Sequence, residues 1–184
     1  MPGNSGYYTN NKKTCPESVR FMGKEKFPKK LIMWIAISDC GMSEPLFRTS
    51  KAIAINSSIY INECLEKRLL PFIHKYHGDF NYLFWPDLAS SHYSLNWMDQ
   101  YVNYVDKESN PPKVPQARPI ENIWGHLAQK VYKGDWQAST EQVLIDRIKL
   151  KLQEIDLNFL QSHMKGVRAK LRSIADGGVF TNNK

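Results

Sequence analysis

The eight residues Leu31-Ile32-Met33-Trp34-Ile35-Ala36-Ile37-Ser38 are the most apolar run in the chain. A run this short, rich in branched side chains and bounded by turn formers, predicts a strand buried in a sheet, because a helix would need more length and would show a polar face. It is also too short to cross a bilayer, as is every other apolar run. Asp39-Cys40-Gly41 turns the chain, and Glu44-Pro45-Leu46-Phe47 starts its return. A second run, Phe80-Asn81-Tyr82-Leu83-Phe84-Trp85, predicts another buried strand that stops at Pro86-Asp87.

Helices fill most of the remainder. Asn56 or Ser57 caps a helix through about Leu70, with Ile61, Leu65 and Leu69 one turn apart on its apolar face. Ser90 or Ser91 caps another through about Tyr104. Residues 107–118 hold three prolines without periodicity and read as a loop. Pro119 then opens a helix at the position where its missing N–H costs nothing. Ile120, Ile123, Trp124, Leu127 and Val131 give it one apolar stripe. Leu144, Ile148, Leu152 and Ile155 mark a further helix, and Leu157, Leu160, Met164, Val167, Leu171 and Ile174 a last one, ended by Gly177-Gly178. Residues 1–30 are polar: a turn at residues 2–6, short strand candidates at Tyr7-Tyr8-Thr9 and Val19-Arg20-Phe21, and a loose basic stretch of Lys24, Lys26, Lys29 and Lys30. The order of elements predicts an α/β layered domain with mixed sheet pairing over residues 1–135 and a helical extension over 136–184.

Lys and Arg exceed Asp and Glu by seven. That surplus favours a polyanionic partner, although many basic proteins bind no nucleic acid. Cys15, Cys40 and Cys64 are scattered, without a Cys-x-x-Cys, which fits a reducing compartment and argues against a zinc knuckle. His74 and His77 read as surface positions on a helix. No signal peptide is visible at Met1, so the Asn56-Ser57-Ser58 sequon has no secretory route.

Two carboxylates stand where chemistry can occur. Asp87 follows the C-terminal end of a strand, the edge at which open α/β sheets build sites. Glu121 lies in the first turn of a helix, where the dipole favours its ionised form. Such a pair can hold Mg²⁺ through oxygen. The plainer readings are a helix-capping Asp and a dipole-partner Glu.

Around these residues the sequence resembles a known family. Trp85-Pro86-Asp87-Leu88-Ala89-Ser90-Ser91-His92-Tyr93-Ser94 is similar to the second-aspartate motif of mariner-superfamily transposases. Residues 115–127, Pro-Gln-Ala-Arg-Pro-Ile-Glu-Asn-Ile-Trp-Gly-His-Leu, are similar to their third-acid motif, and residues 33–38 with Gly41 to the strand and turn that precede both. Thirty-three residues separate Asp87 from Glu121, one fewer than is usual in that family, and Leu88-Ala89-Ser90 replaces the usual Asn-Ala-Pro. The resemblance implies a ribonuclease H-like fold and a triad of two Asp and one Glu that binds Mg²⁺ or Mn²⁺ to cut and join DNA ends. It further implies DNA as partner, a nuclear setting, no membrane, and room for a homodimer.

Asp87 and Glu121 take two of the three acid positions. The family's first Asp lies on a strand upstream of the turn at residues 2–6, and neither Asp39 nor Asp79 stands in its motif. Residues 1–184 are therefore expected to lack that strand and its preceding helix-turn-helix region, to expose an apolar groove beside Leu31–Ser38, and to be inactive alone. The alternative is a non-catalytic transposon remnant that binds DNA or protein. His92 matches a family position near the site and reads either as a phosphate contact or as a helix-surface or capping residue. Arg118, with Lys165, Arg168 and Arg172 on one face of the last helix, is a further candidate to follow a DNA backbone; a solvated basic face is the plainer reading of the last three.

Overall fold

The computed structural model describes residues 30–49, 55–78, 81–89, 92, 93 and 95–178. The readings at residues 1–29, Asp79, Phe80, Ser90 and Ser91 lie outside them. The apolar run forms a hairpin: β1 (Leu31–Trp34) pairs antiparallel with β4 (Leu46–Thr49), and β2 (Ile37–Ser38) with β3 (Gly41–Met42). The expected single strand is thus broken at Ile35-Ala36. The register explains the break. Two residues, Ile35 and Ala36, face three on the return, Ser43, Glu44 and Pro45. Proline has no N–H for the ladder, and the extra residue makes a bulge. Ser43 closes the bulge by donating its N–H to Ala36 O at 2.9 Å and accepting from Ala36 N at its Oγ, also at 2.9 Å.

Ile35 and Ala36 point to opposite faces, as successive strand residues must, and each enters its own core. Ala36 joins Leu46, Tyr60, Cys64, Leu65 and Met98; Ile35 joins Ile123, Leu127, Val131, Leu152 and Leu160. The hairpin therefore lies between two helical layers, a mixed α/β architecture. Among the described residues its ladders are antiparallel and two-stranded, and no mixed sheet forms. The expected strand at residues 80–85 is absent there. Phe84 makes one isolated parallel bridge to Tyr104, donating to Asn103 O at 2.8 Å and accepting from Val105 N at 2.9 Å. Leu83 is 61% exposed. Apolar residues in this segment line a cavity instead of a ladder.

One layer begins with α1 (Ser57–Ile59), whose N-cap Asn56 accepts from Ile59 N at 2.9 Å. The helix does not end near Leu70. It continues as a π-helix over Tyr60–Leu69 and then as α2 (Leu70–Tyr76). Its i→i+5 winding puts residues four or five apart on one face. The buried set is accordingly Tyr60, Cys64, Leu65 and Leu69, with Ile61 only half-buried. Next, α3 (Leu95–Tyr101) stops three residues before the expected Tyr104, where the chain turns to bridge Phe84.

The other layer is α4 (Pro119–Val131), α5 (Glu141–Gln153), α6 (Leu157–Lys165) and α7 (Val167–Gly177). In α4, Pro119 takes the first position, and Ile123, Leu127 and Val131 are buried as the stripe requires. Thr140 and Asp156 cap α5 and α6 through their side chains. The expected last helix is two helices. Gly166 separates α6 from α7, and Leu157 is 44% exposed. Glycine has the poorest helix propensity after proline, so a break there is cheap. At the end of α7, Gly178 adopts φ 83°, which suits a residue without a Cβ.

Candidate functional site

Asp87 and Glu121 lie on the wall of one cavity of about 680 Å³. Residues 32–39 line it from the hairpin, residues 81–87 from the segment leading to Asp87, and residues 118–121 from the start of α4. It runs beside residues 31–38, where the sequence predicts an apolar groove.

Local bonds fix Asp87. Its Oδ1 accepts from Ala89 N at 2.9 Å, an Asx turn, and pairs with Nδ1 of His92. The Asp87 side chain is 59% exposed, whereas that of His92 is 15% exposed. Burial pushes the Asp87 carboxyl up, but the bonds from His92 and Ala89 and the nearby Arg118 charge outweigh it and hold the group below the usual carboxylate range. His92 in turn stacks on Tyr60, with centroids 4.1 Å apart and planes 17° apart. Tyr60 meets Trp34 of β1 edge-on. Burial, reinforced by Cys64 and Asp87, raises the Tyr60 hydroxyl far above its usual range. A continuous aromatic chain thus carries the position of β1 to Asp87. His92 faces Asp87 and Tyr60, which occupies both its ring face and one nitrogen.

Glu121 is exposed in the first turn of α4, its N–H bonded to Arg118 O at 3.2 Å. The two acid-bearing segments are tied together by Arg118 and Asn110. Arg118 donates to Pro86 O at 3.0 Å and to Asn110 Oδ1 at 2.8 Å, and its guanidinium lies 4.6 Å from the Trp85 ring centroid. Asn110 is 2% exposed. Its Oδ1 also accepts from Trp85 Nε1 at 2.8 Å, and its Nδ2 donates to Pro86 O at 2.8 Å and Tyr93 OH at 2.5 Å. The sequence carries no sign of this hub: an Asn before two prolines reads as a turn residue. Tyr60 and Tyr93 are missed for a related reason, since their partners are distant in the chain.

The other basic candidates are divided. Lys165 ends α6, while Arg168 and Arg172 stand one turn apart on α7; all three are exposed. The three therefore do not share a face of a single helix, because Gly166 interrupts it. Lys165 lines a smaller depression with Asp39, Gln161 and Met164.

Asp87 and Glu121 both offer carboxylate oxygens on the wall of this cavity. Asp87 stays ionised at neutral pH, and the contacts of His92 and Ala89 with its Oδ1 fix its orientation. Among the described residues no helix is long and apolar enough to cross a membrane. Compared with protein-family models and with curated proteins, the chain matches none.

Proposed function

We propose that the chain derives from the catalytic domain of a mariner-superfamily transposase with a ribonuclease H-like fold, and that Asp87 and Glu121 are two of its three metal-binding carboxylates. The carrying observation is the cavity between the hairpin strand and the segment ending at Asp87, with both acids on its wall. A strand lying there could pair with the edge of β1 that has no ladder partner among the described residues, and could bring a third carboxylate to the same wall. Mg²⁺, when bound, would activate water and stabilise the leaving 3′ oxygen. Asp87 holds its charge for this role, and Arg118 and Asn110 hold its segment against the start of α4.

The test is nicking of supercoiled DNA with Mg²⁺ or Mn²⁺. Residues 1–184 alone should not nick, since they supply two of the three acids. A chain extended upstream to include a strand with the family's Asp should nick, and Asp87→Asn or Glu121→Gln should abolish the activity. Cleavage by residues 1–184 that Asp87→Asn abolishes would mean another acid completes the site. Cleavage by the extended chain that survives both substitutions would refute the site.

A further inference from the structure

We propose that Asp39, Cys40 and His77 form a site for a borderline divalent cation of the zinc class, separate from Asp87 and Glu121. One ligand atom from each of the three lies within 4.8 Å of the other two, the one such group among the described residues. Asp39 and Cys40 form the turn between β2 and β3; His77 follows α2 as its C-cap. Thirty-six residues of chain separate Cys40 from His77, so packing brings them together. Gly41 shapes the turn, in a backbone conformation that favours glycine. Its φ is 146°, and a Cβ there would sit 3.8 Å from the Tyr76 ring and hydroxyl.

The donor set is a thiol, an imidazole and a carboxylate, which suits zinc and not magnesium. A tetrahedral ion with sulfur at about 2.3 Å and oxygen at about 2.0–2.2 Å holds those two atoms about 3.5 Å apart. Cys40 Sγ and Asp39 Oδ1 are 3.5 Å apart. The imidazole then needs to close by about 1.4 Å at most to complete three vertices, leaving the fourth for water. Outer bonds already steady the ligands. Ser38 Oγ lies 3.0 Å from His77 Nε2 and holds the ring beside the turn, and Gln161 of α6 donates to Asp39 O at 3.2 Å and anchors the turn. Ligating histidines and their neighbours are held by such contacts. Asp39 and His77 also line the large cavity, so a bound ion would be reachable from it.

Zinc-free, reduced full chain would be titrated with Zn²⁺ by calorimetry and with Co²⁺ by optical absorption. One equivalent should bind, with a sulfur-to-cobalt charge-transfer band and the intense visible bands of a tetrahedral ion. Binding should weaken as pH falls, because the ligands must lose protons. Cys40→Ser should abolish the charge-transfer band, and His77→Gln should weaken Zn²⁺ binding at least about tenfold. Asp87→Asn should change neither, which separates this site from the proposed catalytic one. A weak octahedral cobalt spectrum without the sulfur band in the unmodified chain would overturn the proposal, whatever the variants do. A band that persists in Cys40→Ser would overturn it as well.

Discussion

Replacing Asn110 by Ala tests whether the brace between the two acid-bearing segments is energetically real. The side chain is 2% exposed and makes four hydrogen bonds, to Trp85 Nε1, Arg118, Pro86 O and Tyr93 OH. Neutral bonds contribute about 0.5–1.5 kcal/mol net and a bond to a charged group about 1.5–3 kcal/mol, so the set is worth about 3–7.5 kcal/mol. Pro86 O and Arg118 keep each other after the substitution, but Trp85 Nε1 loses its acceptor. The destabilisation should therefore fall near the lower end, about 3–4 kcal/mol. That is a large share of the roughly 5–15 kcal/mol that holds a typical domain. Urea unfolding would measure it as a drop in midpoint at constant slope. A double-mutant cycle with Arg118→Ala should give a coupling of about 1 kcal/mol or more, since the two side chains touch. A destabilisation below about 1 kcal/mol, with no coupling, would show that water replaces Asn110 and that the brace is dispensable.

The pH dependence at Asp87 has a definite sign. Its carboxyl is held below the usual range in the fold, so its pairing with His92 and Ala89 contributes stability above the unfolded value, near 3.9, and loses it as pH falls through the folded value. Asp87→Asn should flatten that acid limb by less than about 1 kcal/mol, because the group is more than half exposed; an unchanged limb in the variant would place the dependence elsewhere. DNA binding by the chain should be weak, indifferent to sequence and steeply reduced by salt. Arg168→Glu with Arg172→Glu should reduce the slope of log affinity against log salt by about 0.9 for each phosphate that the arginines neutralise, and an unaltered slope would leave α7 outside the DNA surface.

The parts legible in the sequence are those decided locally. Pro119 and the spacing of Ile123, Leu127 and Val131 specify α4 without help from the rest of the chain, and Asn56 specifies its own cap. The α/β order follows from the same local signals. Pairing is not local. The run at residues 80–85 has strand composition, but whether its backbone joins a ladder depends on a neighbour; here Phe84 bridges Tyr104 and its flanks line a cavity. The π winding of Tyr60–Leu69 escapes a reading that assumes α periodicity, and it brings Tyr60 onto the buried face while Ile61 is only half-buried; Cys64, Leu65 and Leu69 are buried as their apolar character suggests. Asp87 and Glu121 are candidates from position and resemblance, whereas Asn110, which ties their segments, carries no composition signal. His77 reads as a helix-surface residue until the approach of Gly41 to Tyr76 brings the hairpin turn against it.

How two exposed carboxylates come to share one wall follows from the residues beside them. Neither acid has partners enough to fix its place from across the cavity: Asp87 is held by its own turn and by His92, Glu121 by the first turn of α4. The link runs one residue before Asp87 and three before Glu121, where the Pro86 carbonyl accepts from Arg118. Proline restricts the backbone at position 86, and its carbonyl also accepts from Asn110. Arg118 reaches Pro86, Asn110 and the face of Trp85 together because its guanidinium is planar and forked. A lysine offers one point charge and no plane, so it could not make all three contacts. The side chain that the sequence suggests for a DNA phosphate is thus directed inward, to the geometry of the acids. Among the described candidates, Lys165, Arg168 and Arg172 are the exposed charges that remain free to face a phosphate.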